Sequence, residues 1–108
     1  MSVARSEQAE NDALDIALHI SEDSMVAAER FLDQVEVAVR QLQRFPRSGP
    51  QIALPQFPKL RCLAVPEFPK YFLFYLLDSG DVLIARIGDS RRDWSVILDE
   101  EEIGRAHV

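Results

Sequence analysis

At 108 residues, with 47% apolar and 28% charged side chains, the chain fits one globular domain with a single hydrophobic core and excludes a disordered polar chain. A formal net charge of −6 speaks against a nucleic-acid binder, whose phosphate contacts need clustered Lys and Arg, and the lone Cys62 excludes an internal disulfide. No stretch reaches membrane-spanning length, and the start, MSVARSEQAEN, lacks the apolar run of a secretory signal, so no membrane association and a cytoplasmic location are expected. The charge is uneven: residues 1–46 carry a net −5 and residues 99–108 a net −3, whereas 47–58 and 59–98 each carry +1.

Ser2-Val3-Ala4-Arg5 alternates and is read as a short edge strand. Ser6 is a candidate N-cap, with Glu7 and Glu10 in the first turn, where the helix dipole favours anions. Ala9, Ala13, Ile16, Ala17 and Ile20 then recur at helical spacing, predicting a helix over 7–21. Ser21-Glu22-Asp23-Ser24 breaks it, and Asp23 or Ser24 can cap a second helix over 25–45. Its apolar face is Ala28, Phe31, Leu32, Val35, Ala38, Val39 and Leu42, and Pro46 stops it. A short connection between two amphipathic helices predicts an antiparallel helical hairpin.

Residues 46–59 hold four of the six prolines and read as a loop, which Ile52, Leu54 and Phe57 are expected to anchor to the core. Extended segments follow at 60–65, 71–77 and 82–88. Pro66 and Pro69 are expected to stop the ladder before Tyr71, and Tyr71–Leu77, apolar throughout, reads as a buried central strand. Asp78-Ser79-Gly80-Asp81 is a turn with Gly80 suited to positive φ, making the last two strands an antiparallel hairpin. The predicted class is α+β: a short N-terminal strand and a helical hairpin packed on a three-stranded antiparallel meander. Expected core positions are Ile16, Ile20, Phe31, Leu32, Val35, Leu42, Leu73, Tyr75, Leu83 and Ile84. Residues 1–98 form the domain, Trp94–Leu98 adds a helical turn, and 99–108 is an acidic tail expected to be mobile.

Few residues offer chemistry. His19, His107 and Cys62 lie far apart without metal-ligand spacing, no serine has a nucleophile-elbow signature, and no glycine-rich phosphate loop occurs, so neither metal nor cofactor is expected. Cys62 reads as a small hydrophobe in a strand. Arg61 should point away from the face carrying Leu60, and with Lys59, Arg86, Arg91 and Arg92 it defines a candidate positive surface; the alternative is that these cations are solvated or paired with Asp89 and Asp93.

SEQAENDALDIALHI, AAERFLDQVEVAVRQLQRFPRSG, LRCLAVPEF with YFLFY, and VLIARIGDSRRD occur in an order and spacing that resembles the ParE branch of the RelE/ParE toxins of bacterial type II toxin–antitoxin systems. The resemblance implies the same fold and two possible activities, because one scaffold serves both. Ribonuclease members cut messenger RNA on the ribosome with basic residues of the sheet, here Arg61 and Arg86. ParE-like members inhibit DNA gyrase by binding. Asp89 stands where many relatives carry histidine, and Trp94 is the only aromatic residue beyond it, so no proton acceptor for RNA cleavage is evident. The resemblance therefore implies a non-enzymatic gyrase inhibitor held by a cognate antitoxin, with no direct DNA binding by this chain alone. Its target-contact candidates are Lys59, Arg61, Arg86, Arg91, Arg92 and Trp94. An antitoxin groove between helical hairpin and sheet is expected to involve Val37, Leu76 and Ile97. The alternatives are a ribosome-dependent ribonuclease and an antitoxin-binding module without toxicity.

Overall fold

The computed structural model describes residues 2–52 and 57–89. Its elements are β1 (Val3–Arg5), α1 (Glu7–Ser21), α2 (Met25–Arg44), β2 (Leu60–Val65), β3 (Phe68–Asp78) and β4 (Asp81–Asp89). The strands form one sheet in the order β1-β4-β3-β2, antiparallel except that β1 pairs parallel to β4 through Val3 and Val82 to Arg5 and Ile84. The meander is thus as predicted, β3 is central within it, and the short first strand is an edge strand.

Local chemistry explains the boundaries. Ser6 Oγ accepts from the Ala9 N–H at 3.0 Å, and Ser24 Oγ from the Ala27 N–H at 3.1 Å, so each serine satisfies an orphan donor of a first helical turn. Phe45 caps α2 with its N–H on the Gln41 carbonyl before Pro46 prevents another turn. Ser79 and Gly80 both have positive φ, 53° and 88°, while Asp78 faces Asp81. This is a two-residue turn whose twist matches the strands it joins.

β3 begins earlier than expected, at Phe68 rather than Tyr71. Val65 faces Phe68 across a turn in which Pro66 precedes Glu67 at φ 68°. The pairing then jumps to Ala64 opposite Phe72, so an irregularity in the ladder accommodates Pro69, which has no N–H to give. The prolines shift the register without ending the strand.

Both faces of the sheet are apolar, which is why Tyr71–Leu77 lacks alternation. Phe31, Val35, Ala38 and Leu42 of α2 and Ala9, Ala13 and Ala17 of α1 pack with Val65, Leu73, Tyr75, Ile84 and Ile87 on one face. Phe57, Leu60, Phe74 and Ala85 form a second cluster, with Ile52, Cys62, Phe72 and Leu76 against it. The alanines let α1 lie close to its neighbours, so Ile16, Ile20 and Leu32 flank the core rather than fill it, and Leu83 is half-buried. Leu54, Trp94–Leu98 and the 99–108 tail lie outside the described residues.

Two polar ties join sheet to helices near the N-terminus. Ser6, buried, also donates from Oγ to the Ala85 carbonyl at 2.6 Å and from its N–H to the Ile84 carbonyl at 2.9 Å. Arg5 makes a two-pronged ion pair with Glu36 of α2, both distances 2.6 Å. Ser6→Ala removes a cap and a buried donor together, so the unfolding free energy in urea should fall by about 1–2 kcal/mol; an unchanged midpoint would contradict the role. The Arg5 hydrogen bond holds the Glu36 carboxyl below its ordinary value of 4.5. The pair's contribution is therefore present above that value and lost as pH falls through the lower folded one. With side chains 29% and 48% exposed, it should amount to about 0.5 kcal/mol, measurable as a flatter acid limb of stability in Glu36→Gln.

Candidate functional site

After α2, the chain from Pro46 to Ile52 returns along the edge of β2. The Cys62 N–H donates to the Pro50 carbonyl at 3.1 Å and the Ile52 N–H to the Leu60 carbonyl at 2.9 Å, so the loop extends the sheet by a short stretch. Its centre is pinned from inside. The Gly49 N–H donates to the Tyr75 hydroxyl at 3.0 Å, and that hydroxyl donates to the Pro46 carbonyl at 2.8 Å. A Cβ at residue 49 would stand 2.3 Å from the Cys62 carbonyl oxygen, closer than any side chain tolerates, so glycine is required.

Arg61 lies on the face away from Leu60, as expected, opposite Tyr75. Its Nη1 donates to the Gly49 carbonyl at 2.7 Å and the Arg47 carbonyl at 3.3 Å, so the guanidinium is held in place by the loop it helps to hold. Burial pushes the Tyr75 hydroxyl above its ordinary value of 10, and likewise the Cys62 thiol above 9, so both groups stay neutral at physiological pH.

This arrangement leaves an open cleft of about 510 Å³ between the loop and the β3–β4 turn, lined by Arg47, Lys59, Arg61, Leu77, Asp78 and Ser79 among others. Among the described residues no carboxylate pairs with Arg47, Lys59 or Arg61. Arg47 had no distinguishing sequence signal beyond being the one charge in a proline-rich loop; only the return of the loop brings it to Lys59 and Arg61.

Arg86 does not join them. The ladder is irregular where Phe74 faces Arg86 and Tyr75 faces Ile84, leaving Ala85 without a partner of its own. Ala85 packs on the Phe74 side, and the Arg86 guanidinium reaches Asp12 of α1, with Nε to Oδ2 at 2.8 Å and Nη2 to Oδ1 at 2.9 Å. Asp12 Oδ2 also accepts the Ile87 N–H at 3.0 Å. The side chains are only 9% and 13% exposed. Arg86 therefore has an ion-pair partner on the helix that was not expected from the sequence, and β3 separates it from Arg61; Asp93, an expected partner, lies outside the described residues. The missed signal was Asp12 itself, a carboxylate three residues from Ala9 and four from Ile16 on the apolar stripe of α1, where an unpaired charge would be costly.

Asp89 ends β4 opposite Tyr71 and lines a smaller cleft with Asp12, Asp15, His19 and Lys70. Among the described residues no three of His, Cys, Asp and Glu are grouped as metal ligands, and no helix is long and apolar enough to cross a membrane. Val37 is half-buried on α2, whereas Leu76 packs on the far face of the sheet, so these two do not border one groove. Arg91, Arg92, Trp94 and Ile97 lie outside the described residues.

Comparison with known proteins agrees with the topology. The family model described as the ParE toxin of the type II toxin–antitoxin system parDE matches residues 3–94. A solved structure of the chromosomal ParDE TA system from P. aeruginosa superposes with a TM-score of 0.68 at 18% identity, covering 82% of this chain and 95% of that one. No curated protein sequence matches.

If the Asp12–Arg86 pair is a buried structural unit, Arg86→Ala should cost about 3–5 kcal/mol by stranding the carboxylate. Asp12→Asn/Arg86→Gln keeps an acceptor for the Ile87 N–H and an amide-to-amide bond, and should recover most of that loss in thermal and urea unfolding. Equal destabilisation by both variants would contradict it.

Proposed function

The chain belongs to the ParE toxin family of type II toxin–antitoxin systems, and we propose that it arrests growth in the bacterial cytoplasm by binding DNA gyrase rather than by cutting RNA. Membership implies an antitoxin as its partner. The observation that carries the binding reading is the commitment of Arg86 to Asp12. In-line attack by a ribose hydroxyl needs one group to take its proton and others to stabilise charge on the phosphate. Arg86, one of two arginines in line for the second task, is buried and already neutralised. Arg61 has Nη1 on loop carbonyls, and the neighbouring Tyr75 hydroxyl is tied into the same loop with its pKa raised, which suits a strut better than a proton acceptor. Binding a protein target requires neither group.

On this reading Lys59 and Arg61 contact the target, Arg91, Arg92 and Trp94 remain target-contact candidates, and Arg86 supports the fold. Val37, Leu76 and Ile97 remain the antitoxin-contact candidates, with Val37 on α2 and Leu76 on the far face of the sheet. The acidic helices keep the chain itself off DNA. Induced expression without antitoxin should give filamentous cells and a DNA-damage response while protein synthesis continues. Cleaved messenger RNA within minutes, with translation stopping first, would overturn the proposal in favour of the ribonuclease.

A further inference from the structure

We infer that the cleft between the 46–52 loop and the β3–β4 turn is a receptor for an acidic peptide segment of a protein partner, an inference that rests on the protein-binding reading above. Arg47, Lys59 and Arg61 converge there in a protein whose net charge is −6, and among the described residues none of the three has a carboxylate partner. Arg61 is fixed by two backbone carbonyls through Nη1, so its charge is presented without the entropy of an unrestrained side chain.

Several features select a peptide over a phosphate. A phosphate cradle is built from free backbone N–H groups. Here the loop amides are used internally, Ser48 on the Phe45 carbonyl and Gly49 on Tyr75. The three cations come from separate points, a loop, the approach to β2 and β2 itself, which matches several carboxylates along a chain better than one compact anion. Pro46 and Leu77 offer apolar surface to the methylenes of Glu and Asp. Asp78 and Ser79 on the opposite wall supply acceptors for peptide N–H groups, donors that a phosphodiester lacks.

The test is a titration of the full chain with a labelled octapeptide of Asp and Glu, followed by fluorescence anisotropy and by amide NMR shifts. Saturable binding with shifts at Gly49, Ser79 and Gly80 is expected, weakening about ten-fold in Arg47→Glu/Lys59→Glu. Both residues are exposed, so that variant should keep its fold, and the shifts in the unaltered chain decide the matter if it does not. Arg40→Glu/Lys70→Glu makes the same change in net charge elsewhere and should leave affinity within about two-fold. Failure to bind, equal weakening by both variants, or displacement by inorganic phosphate or an RNA oligonucleotide at lower concentration than by unlabelled peptide overturns the inference. Because growth arrest is scored separately, a chain that arrests growth through gyrase yet ignores the peptide refutes only the site. One that binds the peptide yet cuts RNA refutes only the gyrase reading.

Discussion

Asp12 holds α1 to β4. One carboxylate takes two N–H groups of the Arg86 guanidinium and the N–H of Ile87, so a helix, a side chain and a strand at an irregularity in its ladder meet at a single anion. That junction is nearly dry, which makes it unforgiving: either partner alone would be a buried charge, and the pair is tolerable because the geometry is two-pronged and a third donor is satisfied. The alanine stripe of α1 has the same effect from another direction. Ala9, Ala13 and Ala17 have no bulk to hold the helix away from its neighbours, so the helix can come close enough for a short Asp to reach β4.

The opposite part of the sheet uses an arginine differently. Arg61 is only half-buried, its bonds go to carbonyls rather than to a carboxylate, and its positive charge is therefore not cancelled. Tyr75 reaches the same loop from below, and Gly49 lets the loop approach within a distance that a Cβ would forbid. Two arginines that look equivalent along the chain thus divide into a neutralised strut at β4 and an available cation at β2. On the proposed reading, that division suits a binding surface.

Periodicity was enough for the helices and the meander because each amphipathic stripe is long and the turn at Asp78–Asp81 has its own chemistry. Ser6 and Ser24 were legible as caps for the same reason: one side-chain oxygen, one orphan donor. The prolines misled, since Pro69 reads as a stop when the ladder is assumed regular, and a register shift between Ala64 and Val65 is invisible to a pattern of period two. Asp12 and Arg86 are far apart in sequence, and their partnership depends on an irregular stretch of ladder that re-aims one residue. Alternation alone could not bring them together. The cleft residue Arg47 has the same difficulty, because a loop's path is set by bonds to Tyr75 and β2 rather than by its own composition.

The claim that Arg86 supports the fold while the toxin acts by binding gyrase can be tested directly by measuring supercoiling by purified gyrase in the presence of the unaltered chain and of folded Asp12→Asn/Arg86→Gln. Inhibition by both, with midpoints within about two-fold of each other, is predicted, since the substitution alters a buried strut and leaves the surface intact. Loss of inhibition in a variant that keeps its fold would contradict the structural role of Arg86, and no inhibition by either, together with messenger RNA cut on ribosomes by the unaltered chain alone, would contradict the binding mechanism itself.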